Sequence, residues 1–347
     1  MSADFLLEIV ILAAGGFTLL AVVAALATVL LRIRHGIVAG RWARIEATWE
    51  PQLLEVLTGD VSPEGLTGRL TSAEVPYFVG FLGRLVRRLT GPERQRLLTL
   101  AQPLLPAIRR GLTARSPEAR ARTIDNLGLL SLSDDAGDLR AALDDPSPLV
   151  AMVAARALTR AGRAADAGLM VAHIHRFQDW RPSYLSAMLA ALGPPIAPAL
   201  RAALAEPAAP SRVRAVAADA LARLNDAEAA DAAAQVLAHE SDSGLRAAAL
   251  RLLAGVGRAT HLPEVRAALA SPDEVVRLAA VRAIASLGGA DDVPLLARAL
   301  EDPSHWVAEQ AARGLAAGAG RSRLLAFRDG PGPAALIARE VLEEGGG

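Results

Sequence analysis

His173, His175 and Asp179 stand within seven residues of one another, and imidazole and carboxylate are side chains that bind zinc. The spacing opposes that chemistry, because side chains at i and i+2 leave a helix on different sides. Ligand number and spacing match no strong metal pattern, so no metal is assigned. His239 and Glu240 open like a zincin helix, yet Ser243 stands where the second histidine belongs. Gly255, Gly257 and Thr260 begin like a dinucleotide loop but lack its third glycine, and no strand pattern precedes them. All 37 basic residues are arginine, which removes the phosphate lysine of a Walker loop and the Schiff-base lysine. With no cysteine there is no thiolate nucleophile, thiolate metal site or disulfide. A G-x-S-x-G elbow is also missing. The acid pairs Asp134/Asp135, Asp144/Asp145 and Asp291/Asp292 read as helix caps and solvated loop charges. The chain is therefore expected not to be an enzyme and to need no cofactor, metal or small-molecule ligand.

A different chemistry sits in the same stretch. Phe177, Trp180 and Tyr184 bring three of the 12 aromatic residues together, flanked by Arg176 and Arg181. Aromatic residues and arginine are enriched in protein interfaces. They also fill space beside small alanines in a core. Both readings stand at this level; Phe177, Trp180, Arg181 and Tyr184 are the candidate partner-binding residues.

The elements that must position these residues come from a repeat. Leu112, Leu143, Ile174, Leu204, Leu237, Leu269 and Leu300 recur every 30 to 33 residues. Polar turns follow them, such as "DDPSPLVA" and "EDPSHWVA", where proline cannot continue a helix and Asp or Ser can cap the next. An Ala/Leu helix comes next, as in Val276, Ala279, Ala280, Ala283, Ile284 and Leu287. Gly128, Gly162, Gly193, Asn225, Gly257 and Gly288 are placed to stop it. A second helix leads to the next anchor. About seven such pairs make an all-α solenoid over 112–320.

The pattern D-P-S-x-x-V-R-x-x-A-x-x-A-L-x-x-L-G, matched best at 271–288 and 210–225, resembles the short HEAT-like repeat of phycobilisome lyases and bacterial scaffold proteins. The resemblance implies that the motif arginine pairs with an aspartate of a turn and ties neighbours together. Here that column is Arg120, Arg214, Arg246 and Arg277, while Ala151 and Ala308 depart from it. A lyase-like chromophore-attachment or other enzyme-accessory role is the alternative that this resemblance implies.

Composition closes off other classes. At 52% hydrophobic the chain is too apolar for disorder, and the scarcity of Val, Ile and aromatics beside Ala and Leu opposes a β-sandwich. Ile9 to Leu31 holds no charge and is long enough as a helix to cross a bilayer. Arg32, Arg34, Arg41 and Arg44 follow it and nothing basic precedes it. The expectation is an inner-membrane, single-pass anchor with the N-terminus outside and the C-terminal bulk cytoplasmic. The expected division is 1–35 anchor and basic flank, 36–111 N-terminal helical cap, 112–320 solenoid, and 321–347 C-terminal cap helix and tail. Residues 32–122 carry 15 arginines against 8 acids, and 123–347 carry 22 against 27. The first block suits anionic headgroups, whereas the second opposes a nucleic-acid partner. The sequence thus points to a membrane-anchored scaffold with a protein partner.

Overall fold

A computed structural model describes residues 46–56, 58, 62–72, 74–130 and 136–344. The apolar run 9–31, with the anchor and orientation expected for it, lies outside the described residues, as do Asp134, Asp135 and the final glycines. Every regular element among the described residues is helical, and none of these helices alone is long and apolar enough to cross a membrane. The chain divides into two compact units, Met1–Leu112 and Thr113–Gly347.

The first unit holds α1 (46–56), α2 (Pro63–Thr67), α3 (Val75–Val86), α4 (Gly91–Ala101) and α5 (Leu105–Arg109). Its centre is aromatic: Trp49 meets Phe78 edge to face at 5.1 Å and Phe81 at 5.9 Å. The segment 91–110, continuous by its apolar pattern, is broken into α4, a 3-10 turn at Gln102–Leu104, and α5. Pro103 and Pro106 account for the break, since neither can donate a helical hydrogen bond.

The second unit is an α-solenoid, each repeat an A helix followed by a B helix that is shorter in every repeat but the third, where both have nine residues. The A helices are α6 (Pro117–Leu130), α8 (Pro148–Arg160), α10 (Pro182–Ala190), α12 (Ser211–Leu224), α14 (Ser243–Val256), α16 (Glu274–Leu287) and α18 (His305–Ala317). The B helices are α7 (Ala136–Ala141), α9 (Ala167–Ala172), α11 (Ala197–Ala205), α13 (Ala230–His239), α15 (Leu262–Ala267), α17 (Val293–Ala299) and α19 (Arg321–Arg328). A last helix, α20 (Pro333–Glu344), packs on α18 and α19.

One side-chain register explains the stack. Seven residues after the ladder position, Leu127, Leu158, Leu189, Leu221, Leu253, Ile284 and Leu315 are all buried. Each such side chain contributes about 1.5–3 kcal/mol on burial. Three residues after it, Ala154, Ala217, Ala249, Ala280 and Ala311 are buried too. Their small size lets neighbouring A helices approach closely, which is why the chain is rich in alanine. Gly128 takes this further. It lies inside α6 rather than ending it, and a Cβ there would sit 2.4 Å from that of Ala157 on α8. Its role is close packing, not the helix stop its position suggested. Gly162, Gly193 and Asn225 do end helices with positive φ of 66°, 74° and 53°.

Polar bridges fix the register between repeats. Arg120 gives Asp145 two hydrogen bonds of 2.8 Å and turns its other nitrogen onto the Ala114 and Arg115 carbonyls. Arg277 repeats this with Asp302 at 2.8 and 2.9 Å, and with the Ser271 and Pro272 carbonyls at 3.0 Å. Arg214 is buried and pairs with Glu240 and the Leu204 carbonyl. Arg246 breaks the expected column. Its place of partner is taken by Ser271, 25 residues on. Its Nε is buried with no hydrogen-bond partner.

Candidate partner-binding surface

The third repeat presents its aromatic residues on a turn of unusual construction. After α9 the chain makes a 3-10 turn, Ile174–Arg176, runs irregularly to Arg181, and enters α10 at Pro182. No Asp-Pro-Ser cap exists here. The turn is held instead by Arg212 of α12, whose Nη2 donates to the carbonyls of Phe177 (3.2 Å), Gln178 (3.1 Å) and Trp180. Three carbonyls converging on one guanidinium fix the backbone that carries the indole.

The four candidate residues separate. Phe177 is 1% exposed and is a core residue, so the core-filling reading holds for it and it cannot be touched by a partner. Trp180 is half-buried, its ring stacked on Tyr184 at 5.5 Å and 29°. Tyr184 is 38% exposed and Arg181 is exposed. The structure therefore brings Trp180, Arg181 and Tyr184 to one surface and withdraws Phe177 from it. A stacked pair on a fixed turn loses little conformational freedom on contact, a property of good interface anchors.

The histidines nearby have other work. The ring nitrogens of His173 face the Leu169 carbonyl at 2.7 Å and Asp144 at 2.9 Å. Its hydrogen bond is the main reason Asp144 is held below the usual carboxylate range. His175 Nδ1 lies 2.7 Å from the Ala172 carbonyl and Asp179 is exposed. No group of three metal-ligating side chains forms among the described residues.

Sequence reasoning missed a second set of bridges, between a B helix and the turn that opens the next B helix. Arg140 binds Asp166 at 2.6 Å, Arg201 binds Asp226 at 2.9 Å, and Arg266 binds Asp292 at 2.6 and 3.0 Å. His261 and Asp231 make the same tie at 2.9 Å with the carboxylate on the helix. Asp292, buried, and Asp145, partly buried, are thus ion-pair partners between repeats, not the solvated loop charges expected of them. Their arginine hydrogen bonds are the largest cause holding both carboxyls low. The 25- and 26-residue offsets of these pairs were available as a signal.

Residues 230–316 match the family model of HEAT repeats. Among solved structures the chain is similar to the complex of CpcE and CpcF of phycocyanin lyase from Nostoc sp. PCC7120, at 22% identity over 70% of this chain and 88% of that chain, with a TM-score of 0.32. It is also similar to human deoxyhypusine hydroxylase in complex with glycerol, at 20% identity over 70% of this chain and 96% of that one, with a TM-score of 0.32. An engineered protein matches at 18% identity over 84% of this chain and 97% of that chain, with a TM-score of 0.38. Similarity at this level carries no activity or partner across. No curated protein matches.

Proposed function

We propose that this chain is a membrane-anchored, non-enzymatic scaffold whose cytoplasmic HEAT-type solenoid binds a protein partner within a membrane-associated complex. The observation that carries the reading is the Trp180–Tyr184 stack, held out on a turn that Arg212 fixes from the next repeat. A packed core does not require an aromatic pair in that place, because the preceding repeat turns through Asp145-Pro146-Ser147 and the following one through Glu206–Ser211 without an aromatic residue. Stacked helical repeats offer long surfaces that take other polypeptides. The anchor and its orientation rest on the uncharged run Ile9–Leu31 and the arginines after it.

The test is affinity capture from detergent-solubilised membranes, wild type against Trp180→Ala. The expected result is loss of specific partners with an unchanged melting temperature. A variant that captures the same proteins, or one that melts well below wild type, overturns the role of Trp180. A reporter fused to Gly347 and active only in the cytoplasm tests the orientation; a silent cytoplasmic reporter and an active exported one would reverse it.

A further inference from the structure

The surface that carries Trp180 and Tyr184 continues along the A helices. Positions two before the ladder residue, and two, five and nine after it, fall within roughly 60° on an α-helix. Bridges between consecutive helices join the last three of these rows: Arg156 and Arg160 of α8 reach Asp125 of α6, Arg251 of α14 reaches Asp219 of α12, and Arg282 of α16 reaches Gln310 of α18. Over seven A helices the rows hold eight arginines and three acids. Residues 113–347 as a whole hold 25 arginines and 28 acids. Positive charge is thus gathered on this face and negative charge lies elsewhere on the unit.

The row nearest the helix N-termini is apolar at Leu149, Trp180, Val275 and Trp306 and interrupted by Glu118, Arg212 and Gly244. Leu149, Val275 and Trp306 are 40%, 49% and 65% exposed, at the position that Trp180 takes in the third repeat. Trp306 is the most exposed aromatic among the described residues, and its ring lies 6.0 Å from that of His305. Beneath this row run Arg251, Arg282 and Arg313 on three consecutive helices. Arg251 shares Asp219, and Arg313 shares Glu309 and Glu344. Arg282 pairs with no carboxylate among the described residues; its Nε donates to the neutral Gln310 at 2.9 Å.

We infer that Val275, Trp306 and the Arg251–Arg282–Arg313 row form a binding surface for an extended acidic polypeptide segment with an apolar side chain at every third residue. The inference rests on the scaffold reading and names the class of its partner. The charge is complementary at Arg282, where no carboxylate among the described residues answers the guanidinium. The period follows from geometry: packed helices lie about 8–10 Å apart, and three residues of extended chain advance about 10 Å. A nucleic acid fits less well, because a polyphosphate brings nothing for the apolar side chains of the row above.

The full chain in detergent is titrated into three fluorescein-labelled probes: a peptide of repeated Glu-Leu-Asp, the matching Lys-Leu-Arg peptide, and a 20-nucleotide single-stranded DNA. Anisotropy should show saturable binding of the acidic peptide only. Arg282→Glu and Trp306→Ala should each weaken it about tenfold or more, with helical circular dichroism and melting unchanged because both side chains are exposed. Absent binding, equal binding of the basic peptide, stronger binding of DNA, or full affinity in both variants overturns the proposal. Any of these leaves the capture experiment on Trp180 standing, so the two readings fail separately.

Discussion

Arg176 holds the place where other repeats carry the ladder carboxylate, and Ala151 holds the place of the ladder arginine. The two are 25 residues apart, as Arg120 and Asp145 are. With alanine at the ladder position of α8, Arg176 reaches back and donates to the Leu143 and Asp145 carbonyls, within the turn that an arginine at 151 would have closed. The bridge has been turned round rather than lost.

This inversion predicts a rescue. Arg176→Asp alone should lower the melting temperature, because the Leu143 and Asp145 carbonyls lose their donor at about 1–3 kcal/mol. Adding Ala151→Arg to Arg176→Asp rebuilds the arrangement of Arg120 with Asp145 and should recover most of the loss. Thermal denaturation of the two variants and wild type decides it. A double variant no more stable than the single one shows that the repeats do not share a transferable register.

Arg246 predicts a gain. Ser271→Asp places a carboxylate at the 25-residue offset that serves Arg120 and Arg277. It also keeps the bond accepted from the amide two residues on, as Asp145 accepts from Ser147 N–H and Asp302 from Ser304 N–H at 2.8 Å. About 1 kcal/mol is expected from a charge-assisted bond, or about 2–4 °C in melting temperature for a unit of this size. A lower melting temperature would show that desolvating the new carboxylate outweighs the pair.

The ladder also sets a pH dependence. The carboxyls of Asp145, Asp292 and Asp302 are held below the usual range, in each case first by an arginine hydrogen bond. A folded value below the unfolded one gives stability that is complete above the unfolded value, about pH 4. It is lost as pH falls through the folded value. Asp302→Asn should therefore cost about 1.5–3 kcal/mol at pH 7, since both partners are mostly buried. That cost should shrink as the pH drops below about 4. Urea unfolding at pH 7 and pH 3 measures it, and a pH-independent difference would mean the pair is not the source.

The repeat was legible because its signals are local: proline at helix starts, alanine where helices touch, leucine seven residues after the ladder position. Arg120, Arg214 and Arg277 were legible too, since a column repeats. Arg246 was not, because what stands opposite its unpartnered Nε depends on Ser271 in another repeat. Phe177 and Trp180 look alike in sequence, three residues apart. They differ in the structure because the irregular turn sends one ring inward and leaves the other against Tyr184. Arg212 hides for the same reason: its partners are backbone carbonyls, which leave no trace in residue type.

The bridges that fix the register join only residues of adjoining repeats, commonly 25 or 26 positions apart. Sequence separation between partners therefore stays constant however many repeats the solenoid holds. A chain emerging from the ribosome can close each repeat on its predecessor once about 30 more residues have appeared, without waiting for a distant segment. Unfolding should follow the same geometry and run inward from a free end, one repeat at a time. A pulling experiment would then meet a series of small steps instead of a single rupture.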